Sequence, residues 1–433
     1  MILKGTMRVN ERNHLEIGGC DTVLLAEKYG TPLYIMDEAL TRDNCRRYKE
    51  ALDNSCISGE IFYAGKAFLT MAMARLIHEE GLGLDVMSGG EIYTAIKAGF
   101  PPERLCFHGN NKSKDELFLA LNVGAGRIVV DNLAELEDLL ELAVIMGKKP
   151  AILLRMRPGV KPHTHQFIQT GQEDSKFGLG LEEKDTWEAI RIALQEKERL
   201  NLLGFHCHIG SQIQQTEPFA LAASVMLGFM VTVREKTGFT ASQLNLGGGL
   251  GISYTKDDAP PAIETFVQDI AEAVKNAAMK NDFPLPQVFL EPGRSICGEA
   301  GITIYRAGAV KDIPGIRRYV SVDGGMADNI RPALYQAVYN TALANKYGHE
   351  PLEKITIAGK HCESGDILVT DALLPPVEKG DLVLLFDTGA YCYAMAGNYN
   401  RLPRPAVVFV RDGDARVVVR RETYEDIVAL DQL

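Results

Sequence analysis

The residues best equipped for chemistry stand at regular intervals, each behind a short apolar run. Lys66 closes Tyr63-Ala-Gly-Lys66, Asp85 sits in Gly83-Leu-Asp-Val-Met, His108 follows Leu105-Cys-Phe, and Asp131 follows Arg127-Ile-Val-Val. Arg155 and Arg157 end Ala151-Ile-Leu-Leu-Arg-Met-Arg, and His206-Cys-His208-Ile-Gly-Ser211 ends the next run. Gly247-Gly-Gly249 and Glu291-Pro-Gly-Arg294 follow the last two. A lysine in apolar surroundings loses solvation of its charge, so its pKa falls and its amine becomes a nucleophile suited to Schiff-base chemistry. The plainer reading of Lys66 is a side chain that carries its charge to the rim of the fold. Adjacent glycines such as Gly247, Gly248 and Gly249 let backbone N–H groups close on an anion, and Gly293 with the Arg294 guanidinium adds to that capacity. Any one strand-end histidine or aspartate has an ordinary structural explanation; eight such groups in series share an address.

A lysine amine, a phosphate-type glycine pair and the Glu291 carboxylate form the set that pyridoxal phosphate (PLP) requires. The aldehyde bonds Lys66, the phosphate rests on the glycines, and the acid keeps the pyridine nitrogen protonated so that the ring accepts electrons. A competing reading takes His206 and His208, two positions apart and so on one face of a strand, as metal ligands. His108, Asp85, His163 or His165 would complete that set. In the PLP reading, His208 instead lies flat against the cofactor ring. Gly247-x-Gly249 is no dinucleotide fingerprint, because the sixth place lacks glycine and no clean helix follows.

Positioning these groups requires a parallel sheet. Eight strand candidates (61–64, 83–87, 105–107, 127–130, 151–156, 202–208, 243–246 and 287–290) alternate with amphipathic stretches, and one more helix, Asp37 to Leu52, precedes them. Ser113 and Asn132 read as N-caps, Gly124 and Gly147 as C-terminal stops. An eightfold β/α count over roughly 250 residues has the size and order of a TIM-type (β/α)8 barrel, whose active site lies at the C-terminal strand ends. After Arg294 short strands follow with few helices, so the sequence divides into a barrel over residues 36–285 and a β-rich domain over 286–433 that recruits segment 1–35. Three polar loops mark that second domain: Gly359 to Asp366 with Cys362 and Glu363, Asp323 to Tyr335, and Asp387 to Tyr391. Arg331 and Tyr335 stand one helical turn apart, placed to face one carboxylate together. Recognition loops of a binding protein have a similar make-up.

The 433 residues carry 46 Lys and Arg against 57 Asp and Glu, a net charge of −11. Without a basic run, this balance argues against nucleic-acid binding. The apolar stretches are read as too short or too interrupted for a membrane span. The first residues lack the charged and apolar segments of a secretory signal. Eight cysteines without a C-x-x-C pair disfavour a zinc ribbon or a disulfide framework, so a reducing cytoplasm is expected.

With these motifs in order, from about residue 10 to 425, the chain resembles the diaminopimelate decarboxylases, PLP enzymes that share their fold with alanine racemase and eukaryotic ornithine decarboxylase. The resemblance is carried by Tyr63-Ala-x-Lys66, Ser175-Lys-Phe-Gly178, His206-x-His-Ile-Gly-Ser211, Gly247-Gly-Gly249, Glu291-Pro-Gly-Arg294, Cys362-Glu-Ser-Gly-Asp366 and Gly389-Ala-Tyr391. It implies Lys66 as the Schiff-base lysine and His208 stacked on the ring. It implies Ser211, Gly248, Gly293, Arg294 and Tyr391 around the phosphate, Glu291 at the pyridine nitrogen, and Cys362 as proton donor. Arg294, Arg331, Tyr335, Glu363 and Tyr391 would hold substrate, and no metal is called for. Phe68 departs from the asparagine that many relatives carry, which touches local packing only. The implied reaction is decarboxylation of meso-diaminopimelate to L-lysine, the last step of bacterial-type lysine biosynthesis, by a homodimer whose sites are shared between subunits. Relatives acting on ornithine carry Asp in place of Glu363. A decarboxylase of ornithine, lysine or carboxynorspermidine is the alternative within the class, and a non-catalytic PLP carrier the alternative outside it.

Overall fold

The computed structural model describes residues 3–160 and 174–433. His163 and His165 lie outside the described residues. The chain divides into two compact units, Asn44–Gly251 with Pro260–Ser295, and Met1–Asp43 with Ile252–Ala259 and Ile296–Leu433.

The first unit is a closed barrel. Its strands are β1 (Gly59–Ala64), β2 (Gly83–Val86), β3 (Leu105–Phe107), β4 (Arg127–Val130), β5 (Ala151–Arg157), β6 (Asn201–Cys207), β7 (Gln243–Asn245) and β8 (Gln287–Leu290). Neighbours pair in parallel, and β8 returns to β1 with Val288, Phe289 and Leu290 opposite Gly59, Glu60 and Ile61. The short strand Leu179–Gly180 adds to β5 outside the ring. Helices start and stop where their caps dictate. Ser113 and Glu116 form a capping box for Lys114–Val123, which ends at left-handed Gly124. Asn132 accepts the Glu135 N–H to open Leu133–Met146, which ends at left-handed Gly147.

The barrel interior is layered. Phe62, Cys106, Val129, Leu153 and Phe289 make a buried apolar layer, with the Arg127 guanidinium 4.6 Å from the Phe289 ring centre. Because side chains alternate along a strand, two residues further on the same faces carry Ala64, His108, Asp131, Arg155 and Glu291. The chemistry therefore occupies one layer at the C-terminal strand ends, resting on an apolar floor.

The second unit is built on a sheet that runs, strand by strand, through 367–374, 353–358, 317–322, 301–313, 33–37, 406–411 and 414–419. Strand 382–385 also pairs with 301–313 and with 341–343. Its core includes Leu33, Ile35, Ile302, Ile304, Leu384, Val408 and Val410.

Two expectations need correction. The boundary at residue 285 would cut off β8, which is needed to close the ring, whereas the division falls after Ser295. At the other end, segment 1–35 is expected in the β domain, but strand Leu33–Asp37 pairs along its whole length with 301–304 and 406–410, and the unit extends to Asp43 and takes in 252–259. The apolar stretches also include one long enough to cross a membrane, helix Glu217–Thr237. It lines the barrel wall with Phe219, Ala223, Met226, Leu227, Met230 and Val233 buried, and Phe219 meets Phe266 of helix Ile263–Lys280 edge-on at 4.8 Å.

Candidate active site

In the barrel unit, Lys66 sits on the 3-10 turn Gly65–Ala67 that leaves β1, its side chain partly exposed. Its Nζ lies 3.8 Å from Asp85 Oδ2, and Asp85 Oδ1 lies 3.7 Å from His108 Nε2. His108 Nε2 in turn is 2.8 Å from Glu291 Oε1. Glu291 also accepts from Asn245 Nδ2 at 2.7 Å and meets His206 Nε2 at 3.1 Å. Burial alone would push the Glu291 pKa up, but the His108 charge overrides it and holds the carboxyl well below the usual range. Burial likewise opposes charge on His108, yet Asp85 and Glu291 raise its pKa well above 6.5, so it is an imidazolium at neutral pH. His206 has no such surplus. Burial brings it down to about 3, and the neutral ring donates from Nε2. Burial also raises the Asp85 pKa above the ordinary carboxyl value. The result is an ionised carboxylate with three fixed neighbours in a water-poor layer.

The anion-holding groups lie around it. Arg294, at the start of the short helix that follows β8, donates from Nη2 to Ser211 Oγ, in the loop that leaves β6, at 2.9 Å. The Gly248 N–H points to His208 Nδ1 at 3.3 Å, which leaves the proton of this neutral ring on Nε2. Burial, then the charges of Lys66 and Arg155, pull the His208 pKa well below 6.5. Two glycines are required by contact. Gly247 has φ +67°, and a Cβ there would lie 2.8 Å from His208 Nδ1; a Cβ on Gly248 would lie 2.0 Å from the Glu291 carbonyl oxygen.

In the β unit, Arg331 opens the helix Arg331–Tyr335 and is buried. Its Nη1 donates to Tyr254 Oη at 3.0 Å and to Tyr339 Oη at 2.5 Å. Burial acts against its charge, but Tyr254 and Tyr339 more than offset it, so the guanidinium is held ionised. Among the described residues no carboxylate pairs with Arg331, which leaves its charge available to an anionic group. Tyr335 is half-buried on the same turn, and Tyr391, with φ +60°, is half-buried in the third polar loop. Cys362 and Glu363 are exposed at the tip of the hairpin between strands 353–358 and 367–374.

The pyridoxal-binding domain of the pyridoxal-dependent decarboxylases matches residues 39–298. Diaminopimelate decarboxylase of Bacillus subtilis (strain 168) is 54% identical over 431 residues, spanning 100% of this chain and 98% of that protein. The chain belongs to the diaminopimelate decarboxylase family. A solved diaminopimelate decarboxylase from M. jannaschii in complex with L-lysine superposes with a TM-score of 0.91, at 37% identity over 99% of this chain and 98% of that one. The lysine/ornithine decarboxylase of Vibrio vulnificus complexed with putrescine is more distant, with a TM-score of 0.75 and 25% identity over 90% and 97% of the two chains. Family membership makes the chain a PLP-dependent decarboxylase.

The barrel residues fit that cofactor. A strand-end lysine amine, an ionised buried carboxylate and a glycine loop beside an arginine–serine pair offer an imine partner, a pyridinium partner and an anion cradle. The metal alternative meets a different cluster from the one expected, since ligand atoms of Cys106, His108 and Glu291 lie within 4.8 Å of one another. Two of those three already pair with each other. Sequence reasoning missed His108, His206 and Asn245 as the holders of Glu291, although each stands two residues beyond the apolar layer or at the end of the adjacent strand. It also missed Tyr254 and Tyr339, for which no local pattern exists: Tyr254 is 77 positions from Arg331.

Proposed function

We propose that this chain removes CO2 from meso-diaminopimelate and releases L-lysine. The observation that carries this reading is the 54% identity to a diaminopimelate decarboxylase across both units, so that the substrate-sorting residues fall within the matched length. Bound PLP supplies an electron sink for the pair left when the Cα–carboxylate bond breaks.

The chain's own residues do the rest. Lys66 would hold the cofactor through its amine. Glu291, kept ionised by His108, Asn245 and His206, would be the partner for a protonated pyridine nitrogen. His208, neutral, would offer its ring to the cofactor's. Ser211, Gly248, Gly293, Arg294 and Tyr391 would hold the phosphate. Arg294, Arg331, Tyr335, Glu363 and Tyr391 hold the substrate: its distal end carries both an ammonium and a carboxylate, which call for an acid, Glu363, and a guanidinium clamp, Arg331 with Tyr335. Cys362 delivers a proton to carbon.

In this reading the enzyme is a homodimer in which the partner subunit's Cys362 completes each barrel's site. The exposure of Cys362 and Glu363 supports it. The eight free thiols support a reducing, cytoplasmic setting. The test is release of CO2 and L-lysine from meso-diaminopimelate, with ornithine and lysine as competing substrates. Preference for either competitor would replace this reading by its alternative.

A further inference from the structure

The loop that carries Cys362 is tied down by neighbours that have been given no role so far. Strands 317–322 and 353–358 run parallel, with Tyr319, Val320 and Ser321 opposite Thr356, Ile357 and Ala358, so the loops that follow them leave the sheet at one edge. One loop runs from Asp323 to Arg331; the other is the Cys362 hairpin. Asp366 joins them. Its Oδ1 accepts the Met326 N–H at 2.6 Å, and its Oδ2 accepts the His361 N–H at 2.9 Å and contacts His361 Nδ1 at 2.8 Å. The Lys360 N–H adds a bond to the Gly324 carbonyl at 2.9 Å. Gly325 and Gly359 permit this approach, because a Cβ on either would fall within 2.5 Å of an Asp366 carboxylate oxygen.

A third segment closes the knot. The buried His361 ring stacks on Tyr399, with centres 5.6 Å apart and planes 6° from parallel. The next residue, Asn400, accepts the Cys362 N–H at 2.9 Å, and the Gly397 N–H reaches the Ala327 carbonyl at 2.9 Å. His361 is thus held on two sides, by a carboxylate and by a ring, one residue before the thiol.

We infer that His361, clamped between Asp366 and Tyr399, is a positioning residue that fixes where the Cys362 thiol is presented and keeps it in register with the Arg331 loop. The inference rests on the reading of Cys362 as proton donor for its catalytic consequence, but not for its geometry. Proton delivery to a single carbon depends on placement within about an ångström, and errors of that size cost on the order of 100-fold in rate.

The experiment uses the holoenzyme. Cys362 and Cys56 are the exposed cysteines, so brief iodoacetamide labelling followed by peptide mass spectrometry gives a Cys362-to-Cys56 ratio with its own internal reference. His361→Ala is expected to raise that ratio at least threefold and to lower kcat about 10- to 100-fold. His361→Asn, which can still donate to Asp366, should restore part of both. Tyr399→Ala should move the ratio in the same direction and Tyr399→Phe should not; this pair decides the matter should His361→Ala fail to fold. Ratios within twofold of wild type in both alanine variants would overturn the inference, as would equal shifts in Tyr399→Phe and Tyr399→Ala. Full turnover in Cys362→Ala would overturn the proton-donor reading while the labelling ratios still decide the positioning.

Discussion

A buried carboxylate is ionised only if its neighbours make it so, and at Glu291 the neighbours are His108, His206 and Asn245. Desolvation disfavours its charge; the imidazolium beside it restores the balance. Glu291→Gln keeps the shape and the Asn245 contact region but removes the charge that a protonated pyridine nitrogen needs. It should retain PLP, read as cofactor absorbance after gel filtration, while kcat falls by at least about tenfold, because the lost interaction matters most in the transition state. Unchanged kcat would reject the assignment of Glu291. Selectivity is a separate residue-level matter. Glu363→Asp withdraws the acid by one methylene and should shift the kcat/KM ratio from diaminopimelate toward shorter diamino acids; a flat ratio would place the discrimination elsewhere. That a carboxylate stands at position 291 among the strand-end groups was legible in the sequence, and the structure places it buried in that layer. His108 and His206 stand out in the sequence as strand-end groups but not as its partners, and Asn245 does not stand out, because His206 and Asn245 reach Glu291 only through the pairing of neighbouring strands and His108 only across the closed barrel.

At the level of elements, the barrel was readable because each strand is a short apolar run and its helix is bracketed by caps such as Ser113, Asn132, Gly124 and Gly147. The division between units was less readable. Leu33–Asp37 followed by helix Glu38–Asn54 resembles another β/α repeat locally, so the expected boundary at 35/36 cuts through a strand whose pairing with 301–304 and 406–410 places all of it in the β unit. The loops of that unit hold a further consequence. Asp328, whose Oδ2 accepts the Gly325 N–H at 2.8 Å, has its pKa raised to about 7 by burial, with Asp323 and Asp366 adding to the shift. Its folded-state pKa thus lies above the unfolded value near 3.8, so the folded chain holds this proton more tightly. The resulting stability is fully present below pH 3.8 and is lost as pH rises through 7, by up to about 4 kcal/mol over that window. Asp328→Asn keeps an acceptor for the Gly325 N–H and cannot ionise. Its urea-unfolding midpoint should match wild type near pH 4, exceed it at pH 8, and fall less steeply between; parallel pH curves for the two proteins would show that Asp328 is already ionised in the folded state.

For the whole molecule, the division of labour between units sets the decisive test of assembly. Lys66, proposed to hold the cofactor, belongs to the barrel, whereas Cys362, Glu363 and Arg331 belong to the β unit, and the proposed dimer joins one chain's barrel to the partner subunit's Cys362. Two isologous sites follow from a two-fold axis, each built from both chains. Lys66→Ala and Cys362→Ala should each be nearly inactive as homodimers. When the two are mixed, dissociated and reassembled, about half the dimers are mixed by random pairing. In a mixed dimer with shared sites, both lesions fall in one site and the other site is intact. Roughly a quarter of wild-type CO2 release should therefore return, measured against each mutant carried through the same steps. If mass spectrometry demonstrates mixed dimers and activity stays at the level of the single mutants, Lys66 and Cys362 serve a site within one chain. The homodimer would then have to be explained by something other than catalysis.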